Sequence, residues 1–122
     1  MKKILLIEDN EDIRENTCEL LELEGYQVIT ADDGEIGVTR AKEVIADLIL
    51  CDVLMPGTNG YEVFEALRSD PRTADTPFVF LTANAERTEM KKGLDLGANA
   101  YIRKPFEPEE LFAVIAQCLP SE

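Results

Sequence analysis

An α/β fold, with a parallel sheet covered by helices on both faces, is the architecture that the order of apolar segments predicts. Short apolar or β-branched runs alternate five times with longer segments whose apolar residues recur at helical spacing. Two of the runs, Leu48–Cys51 and Phe78–Leu81, are apolar throughout. Such strands fit central positions of a sheet buried on both sides. At 122 residues the chain is one domain long, and 45% hydrophobic against 30% charged residues describes a globular core rather than a disordered tail.

The elements follow in order. Lys3–Ile7 is the first strand, and Glu11–Glu24 is a helix with Ile13, Thr17, Leu20 and Leu21 on one face, stopped by Gly25. Gln27–Ala31 is a β-branched second strand closed by the turn Asp32-Asp33-Gly34. A helix over Glu35–Ala46 offers Ile36, Ala41, Val44 and Ile45 to the core. Leu48–Cys51 then runs into Asp52, and after a Pro56–Gly60 turn the Tyr61–Ser69 helix turns Val63, Phe64 and Leu67 inward. Phe78–Leu81 precedes a helix over Glu86–Leu96 that ends at Gly97. Ala100–Arg103 is a shorter, more polar fifth strand. Pro108 opens a last helix, whose apolar stretch Leu111–Leu119 stops at Pro120.

Composition excludes several kinds of function. Twenty-five acids against twelve bases give a net charge of -13, which argues against direct binding of nucleic acid or an anionic membrane. No apolar run is long enough to span a bilayer, and the run after Lys2 and Lys3 stops at Glu8, so a cytoplasmic chain without a signal peptide is expected. The odd count of three cysteines in apolar contexts, with no CxxC spacing and no histidine, predicts buried free thiols and no zinc site. Absence of histidine also removes the Ser-His-Asp and Cys-His mechanisms.

In parallel α/β sheets ligands bind beyond the carboxyl ends of the strands. Glu8 and Asp9 follow the first strand, Asp52 the third, Thr82 and Ala83 the fourth, and Lys104 and Pro105 the fifth. Three carboxylates, a hydroxyl and an ammonium are thus expected in one cleft. Each like-charged pair costs roughly 4 kcal/mol at about 4 Å and an effective dielectric of about 20. Lys104, protonation or a bound cation must compensate. All-oxygen ligation suits Mg2+ (or Mn2+), and a carboxylate flanked by metal, lysine and hydroxyl is a workable phosphoryl-transfer site.

The pair Glu8-Asp9, the run Asp52-Val53-Leu54-Met55-Pro56-Gly57-Thr58-Asn59-Gly60, Thr82-Ala83 and Lys104-Pro105 together resemble the response-regulator receiver domains of two-component signalling. The resemblance covers essentially the whole chain. It implies a flavodoxin-like (βα)5 sandwich with a five-stranded sheet of order 2-1-3-4-5, and a single receiver domain over residues 1–122 with no output domain in the chain. It further implies that Asp52 accepts a phosphoryl group from a sensor histidine kinase or histidine phosphotransfer protein. Asp9, Asp52 and the Leu54 backbone carbonyl would bind Mg2+, with Glu8 acting through water. Lys104 would hold a phosphate oxygen, and the Lys104-Pro105 bond would be cis. Thr82 would swing toward the phosphate and let Tyr101 turn inward, changing the face offered to a downstream effector or output domain. A monomer or weak dimer that switches, rather than a turnover enzyme, is the expectation.

Two features narrow the resemblance. Gly97-Ala98-Asn99-Ala100-Tyr101 lacks the paired acids that many DNA-binding regulators carry there for a symmetric dimer. Leu54 and Asn84 occupy positions that sit beside the phosphate in receivers and influence its hydrolysis. Arg87, Lys91, Lys92 and Arg103 suit a partner face near the fourth helix or, as the better reading, a scattered solvated face. Among rivals, a haloacid-dehalogenase-type phosphatase needs a second Asp where Leu54 stands. A nucleotide-binding fold needs a glycine-rich first turn where Glu8-Asp9-Asn10 stands. A receiver fold that had lost phosphorylation would lack Asp52, Lys104 or the acidic pair, and all are present.

Overall fold

Five β-branched or apolar segments pair as parallel strands in the computed structural model, which describes residues 2–83, 91 and 95–119. The strands are β1 (Lys3–Ile7), β2 (Gln27–Ala31), β3 (Leu48–Asp52), β4 (Phe78–Thr82) and β5 (Ala100–Arg103), in the order β2-β1-β3-β4-β5. The helices described in full are α1 (Glu11–Leu23), α2 (Gly34–Glu43), α3 (Gly60–Arg68) and α4 (Pro108–Cys118). The helix expected over Glu86–Leu96 falls mostly outside the described residues.

Alternation along each strand builds two cores. Ile4, Leu6, Leu48, Leu50, Val79, Leu81 and Ile102 pack with Leu21 of α1 and with Leu111 and Ile115 of α4. Leu5, Ile7, Ile49, Cys51, Phe78 and Phe80 pack with Ala41 of α2 and with Tyr61, Val63, Phe64 and Leu67 of α3. All five residues of β3 and of β4 are buried, as expected for interior strands. Each fully buried Leu, Ile or Phe contributes about 1.5–3 kcal/mol relative to exposure, so these strands hold the frame from which the loops project.

The helix ends have local causes. Asn10, Asp33 and Asn59 cap α1, α2 and α3 by accepting from the amides of Ile13, Ile36 and Glu62. Gly25, at φ +94°, closes α1 in the left-handed region. α2 is shorter than its apolar pattern suggested. It stops at Glu43, Val44 is extended at φ -112°, and Ile45 is 57% exposed rather than inward. The chain must leave the helix early to enter β3 beside β1, where Asp47 N donates to the Lys3 carbonyl and Lys3 N to Asp47 Oδ2. No helix among the described residues is long and apolar enough to cross a membrane.

Candidate functional site

Parallel pairing brings the carboxyl ends of the strands to one edge. Cys51 of β3 lies opposite Ile7 of β1, so Asp52 emerges beside Glu8. Asp52 lies opposite Leu81 in β4, and Thr82 opposite Arg103, the residue before Lys104. This register gathers four of the expected residues, Glu8, Asp9, Asp52 and Lys104, at one point.

Their geometry is tight. Lys104 Nζ stands 2.5 Å from Glu8 Oε1 and 3.3 Å from Asp52 Oδ1. Glu8 is fully buried, Asp52 is 6% exposed, and Asp9 is exposed at the mouth. One carboxylate oxygen from each of the three acids lies within 4.8 Å of the others. Asn10 N donates to Glu8 Oε2 at 3.3 Å, and Arg14 Nη1 donates to the Glu8 carbonyl at 3.0 Å. Arg14 belongs to none of the sequence motifs. Its position one turn into α1, facing back along the helix, was the available signal.

The electrostatics follow from burial. Desolvation first, then the hydrogen bond and charge of Glu8, push the Asp52 carboxyl up to about 7, with Lys104 pulling the other way. Burial raises the Cys51 thiol well above its ordinary value, and the charges of Asp52 and Glu8 add to this. Cys51 is therefore a neutral core thiol that donates to the Asp52 carbonyl at 3.3 Å. It is the one fully buried cysteine, since Cys18 and Cys118 are half-buried free thiols. The donor set of Glu8, Asp9 and Asp52 is all oxygen and surplus in negative charge, which fits a hard divalent cation.

The remaining expected residues sit nearby or apart. Thr82 is buried at the end of β4, and its carbonyl accepts from Lys104 N at 2.7 Å. The Lys104-Pro105 peptide is cis. The Leu54 side chain is 64% exposed, and Asn84 lies outside the described residues. Of the basic residues read as a solvated face, Lys91 and Arg103 are exposed, while Arg87 and Lys92 lie outside the described residues. Tyr101 lies apart from the cleft, half-buried, with its ring centroid 5.3 Å from Phe80 and its hydroxyl 2.5 Å from that of Tyr61. In sequence Tyr61 marks only a helix start. A buried phenol, which needs a polar partner for its hydroxyl, was the signal.

Comparison with known proteins agrees with this fold. The family model described as "Response regulator receiver domain" matches residues 4–116. The chain is 41% identical over 114 residues to the phosphate regulon transcriptional regulatory protein PhoB of Klebsiella pneumoniae, covering 93% of this chain and 50% of that protein. It is 43% identical over 119 residues to the transcriptional regulatory protein CpxR of Escherichia coli (strain K12), covering 98% and 50%. It thus spans about half the length of these relatives. Among solved structures, the chemotaxis protein CheY4 of Vibrio cholerae superposes with a TM-score of 0.93 at 33% identity, covering 98% of this chain and 99% of that one. The non-phosphorylated HemR receiver domain of Leptospira biflexa gives 0.89 at 31% identity, covering 100% and 97%. With the family model spanning nearly all of it, this chain belongs to the response regulator receiver domain family, the signalling switches of two-component systems.

Proposed function

We propose that this chain is switched by phosphorylation of Asp52, drawing the phosphoryl group from a phosphohistidine on a sensor kinase or phosphotransfer protein. The observation that carries this reading is the Lys104 ammonium set between two buried carboxylates, with an exposed third acid completing the oxygen cluster. A buried carboxylate facing a fixed cation is a nucleophile held in place for attack.

In the reaction, an Asp52 carboxylate oxygen forms a bond to phosphorus while the phosphorus–nitrogen bond of the donor breaks. The electron pair leaves with the imidazole, which takes a proton from solvent. Asp9, Asp52 and the Leu54 carbonyl would hold Mg2+ or Mn2+, with Glu8 bound through water. When bound, the cation neutralises charge on the transferring oxygens. Lys104, already 3.3 Å from Asp52, binds a phosphate oxygen, and its contact with Glu8 keeps the ammonium aimed into the cleft. Thr82 closes on the phosphate, and Tyr101 repacks on the partner-binding face.

Intact-mass measurement after incubation with acetyl phosphate tests the proposal, since the chain has no tryptophan to report by fluorescence. One added phosphoryl group is expected with Mg2+, none with chelator, and none for Asp52→Asn. An unmodified wild type under saturating donor and Mg2+ would sink it.

A further inference from the structure

Helix α3 begins on the backbone of Asp52. A Cβ placed at Gly60 would lie 2.5 Å from the Asp52 carbonyl oxygen and 2.9 Å from Val53 Cα, so the helix start and the Asp52-Val53 peptide are in direct contact. Gly60 N also donates to the Val53 carbonyl at 2.9 Å. The first turn is fixed by a reciprocal cap, in which Asn59 Oδ1 accepts from Glu62 N and Glu62 Oε1 from Asn59 N. Any displacement of the Asp52 backbone therefore carries the first turn of α3 with it.

Tyr61 is the next residue along. It is 8% exposed, its ring centroid lies 5.1 Å from Phe80, and its hydroxyl is 2.5 Å from the Tyr101 hydroxyl. Phe80 thus supports both tyrosine rings, and the two phenols are joined above it. Both partners of this hydrogen bond belong to the protein, so it can bias the position of Tyr101 before any phosphate is bound.

We propose that Tyr61 is a positioning residue of the switch. Its hydroxyl holds Tyr101 over Phe80 and couples Tyr101 to the Asp52 backbone through the start of α3, by a route that bypasses Thr82. The role rests on the reading of Tyr101 as the reporter of phosphorylation, and it assigns part of that reporter's equilibrium to a residue outside the cleft. One net hydrogen bond shifts a two-state ratio about fivefold.

The test is NMR of the full chain labelled with 13C-tyrosine, which carries three tyrosine rings, Tyr26, Tyr61 and Tyr101. In unphosphorylated protein, Tyr61→Phe is expected to move the Tyr101 rotamer ratio about fivefold away from the position over Phe80. The ring contact between residue 61 and Phe80 should persist, and phosphoryl uptake by intact mass should not change. Tyr101→Phe should reciprocally shift the Tyr61 ring signal, which secures the measurement if one variant folds poorly. Thr82→Ala should keep part of the phosphorylation-dependent change at Tyr101, and its complete loss would overturn the second route. An unchanged Tyr101 ratio in Tyr61→Phe, with phosphoryl uptake intact, overturns the role of Tyr61 alone. Failure of the wild type to take phosphate instead overturns the Asp52 reading, and leaves the ratio in unphosphorylated protein to decide the Tyr61–Tyr101 link.

Discussion

Replacing Lys104 by Met removes the ammonium but keeps the length and bulk of the side chain. At an effective dielectric of about 20, the 2.5 Å and 3.3 Å contacts to Glu8 and Asp52 correspond to gross attractions of about 7 and about 5 kcal/mol. Most of this offsets the cost of desolvating a 12%-exposed ammonium and two buried carboxylates, and breaking such a pair costs a net of about 3–5 kcal/mol. The orphaned acids can share a proton, so the cost depends on pH. Lys104 is among the influences that hold the Asp52 carboxyl down, and its loss raises an already raised folded-state value further. A proton held more tightly by the folded state stabilises it at low pH, and that contribution is lost as pH rises through the folded value. Lys104→Met should therefore be less stable than wild type by about 3 kcal/mol at pH 8, and by less than half of that at pH 5.5. Urea unfolding followed by far-UV circular dichroism, with metal chelated, measures both. A loss that is the same at the two pH values, or smaller at pH 8, would refute the account of Lys104 as the counter-charge of the cluster.

Other variants probe the remaining parts of the cleft. In chelator, wild type should lose stability relative to Asp52→Asn as pH rises from about 4 through about 7, because the folded chain keeps a proton that the unfolded chain has released. The difference should reach about 2–4 kcal/mol in urea titrations at pH 8. Asp9→Ala should weaken Mg2+ binding at least about tenfold by isothermal titration calorimetry. The same change should make the metal-free fold slightly more stable, by removing one of three crowded carboxylates. Gly60→Ala should destabilise by about 1–3 kcal/mol, since its Cβ meets backbone atoms of Asp52 and Val53. It should also slow phosphoryl uptake by displacing Asp52, which stopped-donor mass kinetics would show.

The frame was legible because interior strands carry an unambiguous signature. β1, β2 and β5 have the ends that alternation and turn residues predict, and β3 and β4 each extend one residue further, onto Asp52 and Thr82. Those two extensions matter, because they make Asp52 and Thr82 the last members of a rigid ladder rather than the first of a loop. The end of α2 differs from the sequence pattern because Val44 and Ile45 continue the apolar periodicity, while the route into β3 is decided by contacts with Lys3 far away in sequence. The cleft was legible as a set of strand-end residues, but not the division of labour within it. No spacing shows that Glu8 is fully buried against Lys104 while Asp9 stays exposed. The Tyr61–Tyr101 contact is likewise tertiary, joining residues 40 apart through helix and sheet packing.

The central claim is that Asp52, and no other of the clustered acids, carries the phosphoryl group. Borohydride reduction after reaction with acetyl phosphate and Mg2+ converts an acyl phosphate to an alcohol and marks the residue permanently. Peptide mapping by mass spectrometry should then find the mark at position 52 alone, absent when Mg2+ is chelated. A mark at Glu8 or Asp9, or no mark on a folded chain, would contradict the account.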